Sequence, residues 1–89
     1  MISHTTQRFR ACYDELPDPV RRRARRAFGV FRREPFHPSL RFKQVHATRP
    51  IFSVRVSLGY RALGIRDGDK IIWFWIGSHA DYDRLVSSF

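Results

Sequence analysis

Cysteine is all but absent. Cys12 stands alone among 89 residues, so no internal disulfide can form, and the pattern points to a reducing, cytoplasmic setting. Long apolar runs are absent as well. The longest, Ile71 to Gly77, has the length of a strand and falls far short of the ~18 residues of a membrane span. The N-terminus carries no apolar core of the kind that marks a secretory signal. His4, His37, His46 and His79 fall in no CxxC or HExxH spacing with each other or with Cys12, so neither a metal nor another cofactor is expected. No G-x-S-x-G elbow and no glycine-rich phosphate loop occurs. Ser78 and His79 are chain neighbours, the wrong geometry for a nucleophile and its base. Negative charge is the last scarcity: eight acids stand against seventeen bases, a net +9.

What is present is mostly arginine. Only Lys43 and Lys70 are lysines, so fifteen of the seventeen bases carry guanidinium, a planar fork that fits phosphate and carboxylate bidentately. That balance predicts a polyanionic partner, nucleic acid or an acidic protein, and a merely basic soluble protein shares it. Hydrophobic residues at 43% and aromatics at 15% exclude a disordered tail. The length implies one domain over residues 1–89, with a thin core that hides roughly two-thirds of the unfolded surface.

Periodicity divides the chain in two. Phe9, Cys12, Tyr13 and Leu16 form one helical stripe after the capping hydroxyls of Thr5 and Thr6. Pro17 ends that helix, and Asp18-Pro19 starts another as N-cap and first helical residue. Val20, Ala24, Ala27, Phe28 and Phe31 continue on one face until Glu34-Pro35. Period two then takes over. A first strand is expected over Leu40 to Val45, a second around Phe52, Val54 and Val56, a third over Gly59 to Arg66 and a fourth over Lys70 to Ile76. Asp67-Gly68 marks a hairpin between the last two. Ser78 caps a terminal helix, with Asp81 three residues on and Tyr82, Leu85, Val86 and Phe89 on its apolar side. The expected fold is α+β: an N-terminal helical hairpin packed on a small twisted antiparallel sheet, two layers, with a short C-terminal helix.

The residues that carry chemistry are scattered along the chain. Arg41 and Lys43 alternate on the first strand, Arg55 stands on the polar side of the second, and Arg61 opens the third. His79 begins the last helix, with Tyr82 one turn away. If the strands pair in order, cationic side chains share a sheet face with an imidazole and a phenol at its rim. Such a set can break RNA without metal: the cations stabilise charge growing on phosphate, histidine moves protons, and tyrosine stacks on or hydrogen-bonds a base. Plainer readings stand beside this one. Arg55 and Arg61 can be solvated strand residues paired with Asp67, Asp69 or Glu34. Tyr82 falls on an apolar helix side and suits a core. Trp73 and Trp75, expected on one side of their strand, suit core packing better than base stacking, and so does Cys12. Five arginines between Arg21 and Arg26 repel each other unless an anion relieves them.

Several segments together resemble the RelE/ParE superfamily of bacterial type II toxins. They are Leu16-Pro17 before an arginine-rich helix, Pro38-Ser39-Leu40-Arg41-Phe42-Lys43 after it, Phe52-Ser53-Val54-Arg55, Gly59-Tyr60-Arg61-Ala62-Leu63, and Trp73 through Tyr82. The Tyr60-Arg61 pair and the run from Trp75 to Tyr82 look most like the ParE-like branch. The resemblance implies one of two activities: RelE-like members cleave mRNA, typically on the ribosome, whereas ParE-like members poison DNA gyrase without a nuclease site. It also implies a cognate acidic antitoxin that wraps the toxin. By position, Arg61 matches the family's sheet arginine, and His79 or Tyr82 its C-terminal acid or base. Arg41, Lys43 and Arg55 would bind the substrate. The family's N-terminal strand is short or absent here, and the terminal helix runs on past His79 and Tyr82. On the nuclease reading, Arg61→Ala or His79→Ala is expected to abolish activity at unchanged stability.

Overall fold

The computed structural model describes every residue from Met1 to Phe89. In chain order it comprises β1 (Ile2–Thr5), α1 (Gln7–Asp14), α2 (Asp18–Arg33), a 3-10 turn (Pro38–Leu40), β2 (Lys43–Gln44), β3 (Ile51–Ser57), β4 (Tyr60–Asp67), β5 (Lys70–Ser78) and α3 (His79–Ser87). The α+β class expected from periodicity is the class observed. Thr6 caps α1 by accepting the Phe9 amide at 3.1 Å, which satisfies one of the free donors of the first turn. Pro17, not Asp18, is the N-cap of α2. Asp18 lies inside the first turn, ion-paired with Arg21, where its charge meets the positive end of the helix dipole.

The sheet runs β1-β5-β4-β3-β2. It is mixed rather than purely antiparallel, because β1 pairs parallel with β5 while every other pairing is antiparallel. The N-terminal strand is thus present, although only four residues long. The strand expected over Leu40 to Val45 contracts to two residues. Leu40 is buried in the 3-10 turn, and Arg41 takes a left-handed φ of 47° that interrupts the extended run. The β4–β5 turn is Gly68-Asp69, one residue later than the Asp-Gly signal suggests. Gly68 supplies the positive φ, 59°, that the first turn position requires.

Two cores lie on opposite faces. Alternation puts Ala62 of β4 against the helical hairpin, with Val20, Ala24, Phe31, Val54 and Trp73, and puts Leu63 with Ile51, Trp75 and Tyr82 under α3. The sheet is therefore covered on both sides, and two layers become three at the α3 end. Trp73 is the hub of the larger core: Phe28 and Phe31 meet it edge-on, both with centroids 5.3 Å away, a geometry worth ~0.5–1.5 kcal/mol per pair beyond burial. Both tryptophans are core residues, but they do not share a face. The pairings Leu63↔Trp75 and Gly64↔Trp73 leave Phe74 as an extra residue, and this bulge reverses the alternation between them. Gly64 is favoured as glycine, since a Cβ there would sit 2.8 Å from Trp73 Cε3 and 2.9 Å from Ile71 Cγ1 and force them to shift.

Candidate functional site

Strand register brings the cationic side chains to one face. Arg61 precedes Ala62 and Arg55 follows Val54, so both point away from the helical hairpin, and they are direct cross-strand partners. Like charges placed opposite each other destabilise a sheet. Lys43 pairs with Ser53, two residues from Arg55 on the same face. Arg41 is not on the strand at all. It caps the 3-10 turn in the left-handed region, and from there it still joins the electrostatic neighbourhood of Arg61. Burial comes first in lowering the Arg61 pKa, Arg55 second, and Arg41 adds to them; Tyr82 and Asp83 act in the opposite sense. Register therefore sets Arg55 beside Arg61, with Lys43 one step further along the sheet, and Arg41 and Tyr82 lie within electrostatic reach of Arg61.

Arg61 also has a structural duty that its sequence position does not announce. Its Nη1 donates to the carbonyls of Ser57 (2.8 Å), Tyr60 (2.9 Å) and, at longer range, Leu58 (3.3 Å). The guanidinium thus ties down the β3–β4 turn from within. No carboxylate pairs with Arg55 or Arg61: the ion pairs of the chain are Met1–Asp69, Arg21–Asp18, His79–Asp83 and Arg84–Asp81. The reading in which Asp67, Asp69 or Glu34 neutralises these arginines is set aside.

The first turn of α3 supplies the remaining groups. Ser78 caps the helix, accepting the Asp81 amide at 3.2 Å, and the His79 amide donates to Gly59 O at 2.8 Å. That bond fastens the start of α3 to the same turn that Arg61 holds. The His79 side chain is 47% exposed, with Nδ1 3.6 Å from Asp83 Oδ1 and its ring 5.6 Å from that of Tyr82. Asp83 is a neighbour of His79 that motif reading passes over, although the two stand four apart on a helix, the spacing at which side chains meet. Tyr82 corrects an expectation. At 9% exposure its ring belongs to the core with Ile51, Leu63 and Trp75, so it offers no face on which a base can stack. No three His, Cys, Asp or Glu side chains converge as a metal site, and no helix is long and apolar enough to cross a membrane.

Known proteins bear on this geometry in two ways. Several solved structures share the fold. The RelB–RelE antitoxin–toxin complex from Methanococcus jannaschii aligns with a TM-score of 0.73 at 17% identity, covering 91% of this chain and 96% of that one. The toxin–antitoxin complex RelBE2 from Mycobacterium tuberculosis gives 0.67 at 21% identity, covering 88% and 96%. A copper-bound mutant toxin from Helicobacter pylori gives 0.63 at 15%, covering 91% and 97%. A search of curated protein sequences finds no match. The family described as the ParE-like toxin domain matches residues 18–84, a stretch that spans α2 and every strand except β1 and reaches into α3. With the match covering most of the chain and the α+β fold agreeing, this protein belongs to the ParE-like toxin domain family and is a toxin of the toxin–antitoxin class.

Proposed function

We propose that the toxin cleaves mRNA and so inhibits translation, without need of a metal ion. The observation that carries this reading is the cross-strand pairing of Arg55 with Arg61 beside the α3 helix start that bears His79, with Arg41 within electrostatic reach. Unneutralised guanidinium groups at a partly desolvated spot favour a phosphate, and more strongly one whose charge is growing. In the step envisaged, a ribose 2′-hydroxyl attacks the adjacent phosphorus, the P–O5′ bond breaks, and a 2′,3′-cyclic phosphate and a free 5′-hydroxyl result. Arg61 and Arg55, with Lys43 and Arg41 beyond them, hold the non-bridging oxygens and offset the extra charge of the phosphorane. His79 takes the 2′-hydroxyl proton or returns one to the leaving oxygen. Asp83 stands beside the imidazole, 3.6 Å from Nδ1, and Tyr82, fixed by its buried ring, flanks His79 rather than the base.

A cognate acidic antitoxin is the expected protein partner. The +9 charge supports it, and the fold relatives from Methanococcus jannaschii and Mycobacterium tuberculosis are antitoxin–toxin complexes. The second reading, a non-catalytic toxin that blocks DNA gyrase or another protein, draws on Leu58 and Phe36, apolar side chains 79% and 65% exposed on a basic surface. Induction separates the two. A nuclease stops translation and leaves mRNA fragments with 2′,3′-cyclic phosphate ends, and His79→Ala abolishes both. A gyrase poison triggers DNA-damage signalling and is indifferent to His79→Ala.

A further inference from the structure

On the far side of β3 from α3 lies an open groove of about 420 Å³, of whose lining the proposed chemistry uses Arg55 alone. Arg23 and Arg26 of α2 form one wall, Ser39, Leu40, Arg55 and Ser57 line the other side, and the floor is apolar. The groove exists because β2 starts late, after the 3-10 turn and the left-handed Arg41 that would otherwise face Arg55. Only Lys43 and Gln44 pair with β3, so the outer edge of β3 from Arg55 to Ser57 has no strand beside it. No acidic residue lines the groove, and neither Arg23 nor Arg26 takes part in an ion pair. Arg23 and Arg26 are one turn apart on α2, so both present to the same anion path.

Arg55 belongs both to this groove and to the cluster around Arg61. The Arg55 side chain points to the α3 face beside Arg61, so Arg55 marks where the two groups adjoin: Arg23 and Arg26 on the groove side of the open β3 edge, and Arg41, Arg55 and Arg61 on the other, make up a cationic band around it.

We propose that this band is a track for single-stranded RNA. The phosphates flanking the scissile one leave the site over the β3 edge and bind Arg23 and Arg26, while their bases rest on the apolar floor. The proposal rests on the RNA reading above and extends it from a single phosphate to a strand. Phosphate recognition suits the site because every polar wall group is a cation or a hydroxyl, and backbone contacts of this kind hold nucleic acid without reading its sequence.

The test uses 2′-O-methyl oligoribonucleotides, which cannot be cleaved, in lengths from two to eight nucleotides, with binding read by fluorescence anisotropy across a salt series. The Arg23→Ser/Arg26→Ser variant is compared with Arg22→Ser/Arg32→Ser, which removes equal charge from α2 outside the groove. Each phosphate contact on a single strand adds ~0.7 to the salt slope. The groove variant should therefore lose about 1.4 in slope and ~15-fold in affinity for the octamer near 0.15 M salt, and leave the dimer unaffected. Equal losses in both variants, or equal losses for dimer and octamer, overturn the track in favour of general charge. So does a groove that an acidic peptide occupies and RNA does not. Cleavage of unmodified RNA is scored separately. If the wild-type protein does not cleave but the octamer-specific loss stands, the nuclease reading falls and the track survives. If it cleaves and that loss is missing, the track falls and the nuclease reading survives.

Discussion

Arg61→Ala tests whether the site and the scaffold are the same object. The Nη1 group makes two good bonds to carbonyls, at 2.8 and 2.9 Å, and a weak one at 3.3 Å. Hydrogen bonds to charged groups contribute ~1.5–3 kcal/mol each. Arg61 is only partly buried, and water can reach the turn because Leu58 is exposed, so the lower end applies and the loss is ~3 kcal/mol. Against it, alanine ends the cross-strand repulsion from Arg55, a gain of up to ~1 kcal/mol. The net is a destabilisation of ~2 kcal/mol, which for a domain of this size lowers Tm by roughly 8–16 °C. Urea unfolding followed by the fluorescence of Trp73 and Trp75, both buried, gives the number, with the m-value unchanged. His79→Ala is the control: its side chain is half exposed, with one distant carboxylate neighbour, and it should stay within ~0.5 kcal/mol of wild type. The expectation that both substitutions leave stability untouched is thus kept for His79 and withdrawn for Arg61. A shift below ~0.5 kcal/mol for Arg61→Ala would refute the reasoning, because the turn would then stand without its guanidinium tie.

Other perturbations follow from the same contacts. Arg55→Gln removes half of a like-charge pair and should raise stability by a few tenths, about 0.5 kcal/mol at most, at low ionic strength, with the gain gone in ~1 M salt; denaturation at both salts reads it. Gly77→Ala should cost ~1–3 kcal/mol by overpacking. A Cβ there falls 2.5 Å from Trp75 Cζ2, so the near-ultraviolet circular dichroism of the indole should change with it. Tyr82→Phe should hold stability within ~0.5 kcal/mol, whereas Tyr82→Ala should lose ~3–5 kcal/mol through the cavity it opens; thermal melts of the pair separate the hydroxyl from the ring. An uncleavable RNA oligomer should raise Tm in proportion to its binding, by ~2.7 kcal/mol of stability at a hundred times its dissociation constant, and calorimetry would detect the absence of that rise.

Local chemistry written along the chain determined the elements of this protein. Thr6, Ser78 and Pro35 set helix ends, apolar stripes at 3.6 and 2 set helix and strand, and the scarcity of acids set the charge, because each of these acts within a few residues. The cationic face was legible too, since Arg55 and Arg61 need only paired strands to meet. What the tertiary structure alone decided were events that depend on a partner far away in sequence. The bulge at Phe74 sent Trp73 and Trp75 to different cores, and α3 docking turned Tyr82 inward. The late start of β2 left the β3 edge open beside Arg23 and Arg26, and the left-handed Arg41 came within electrostatic reach of Arg61 from a turn rather than a strand. Register and face are properties of two strands or two layers at once, and a one-residue slip in either changes which side chains meet.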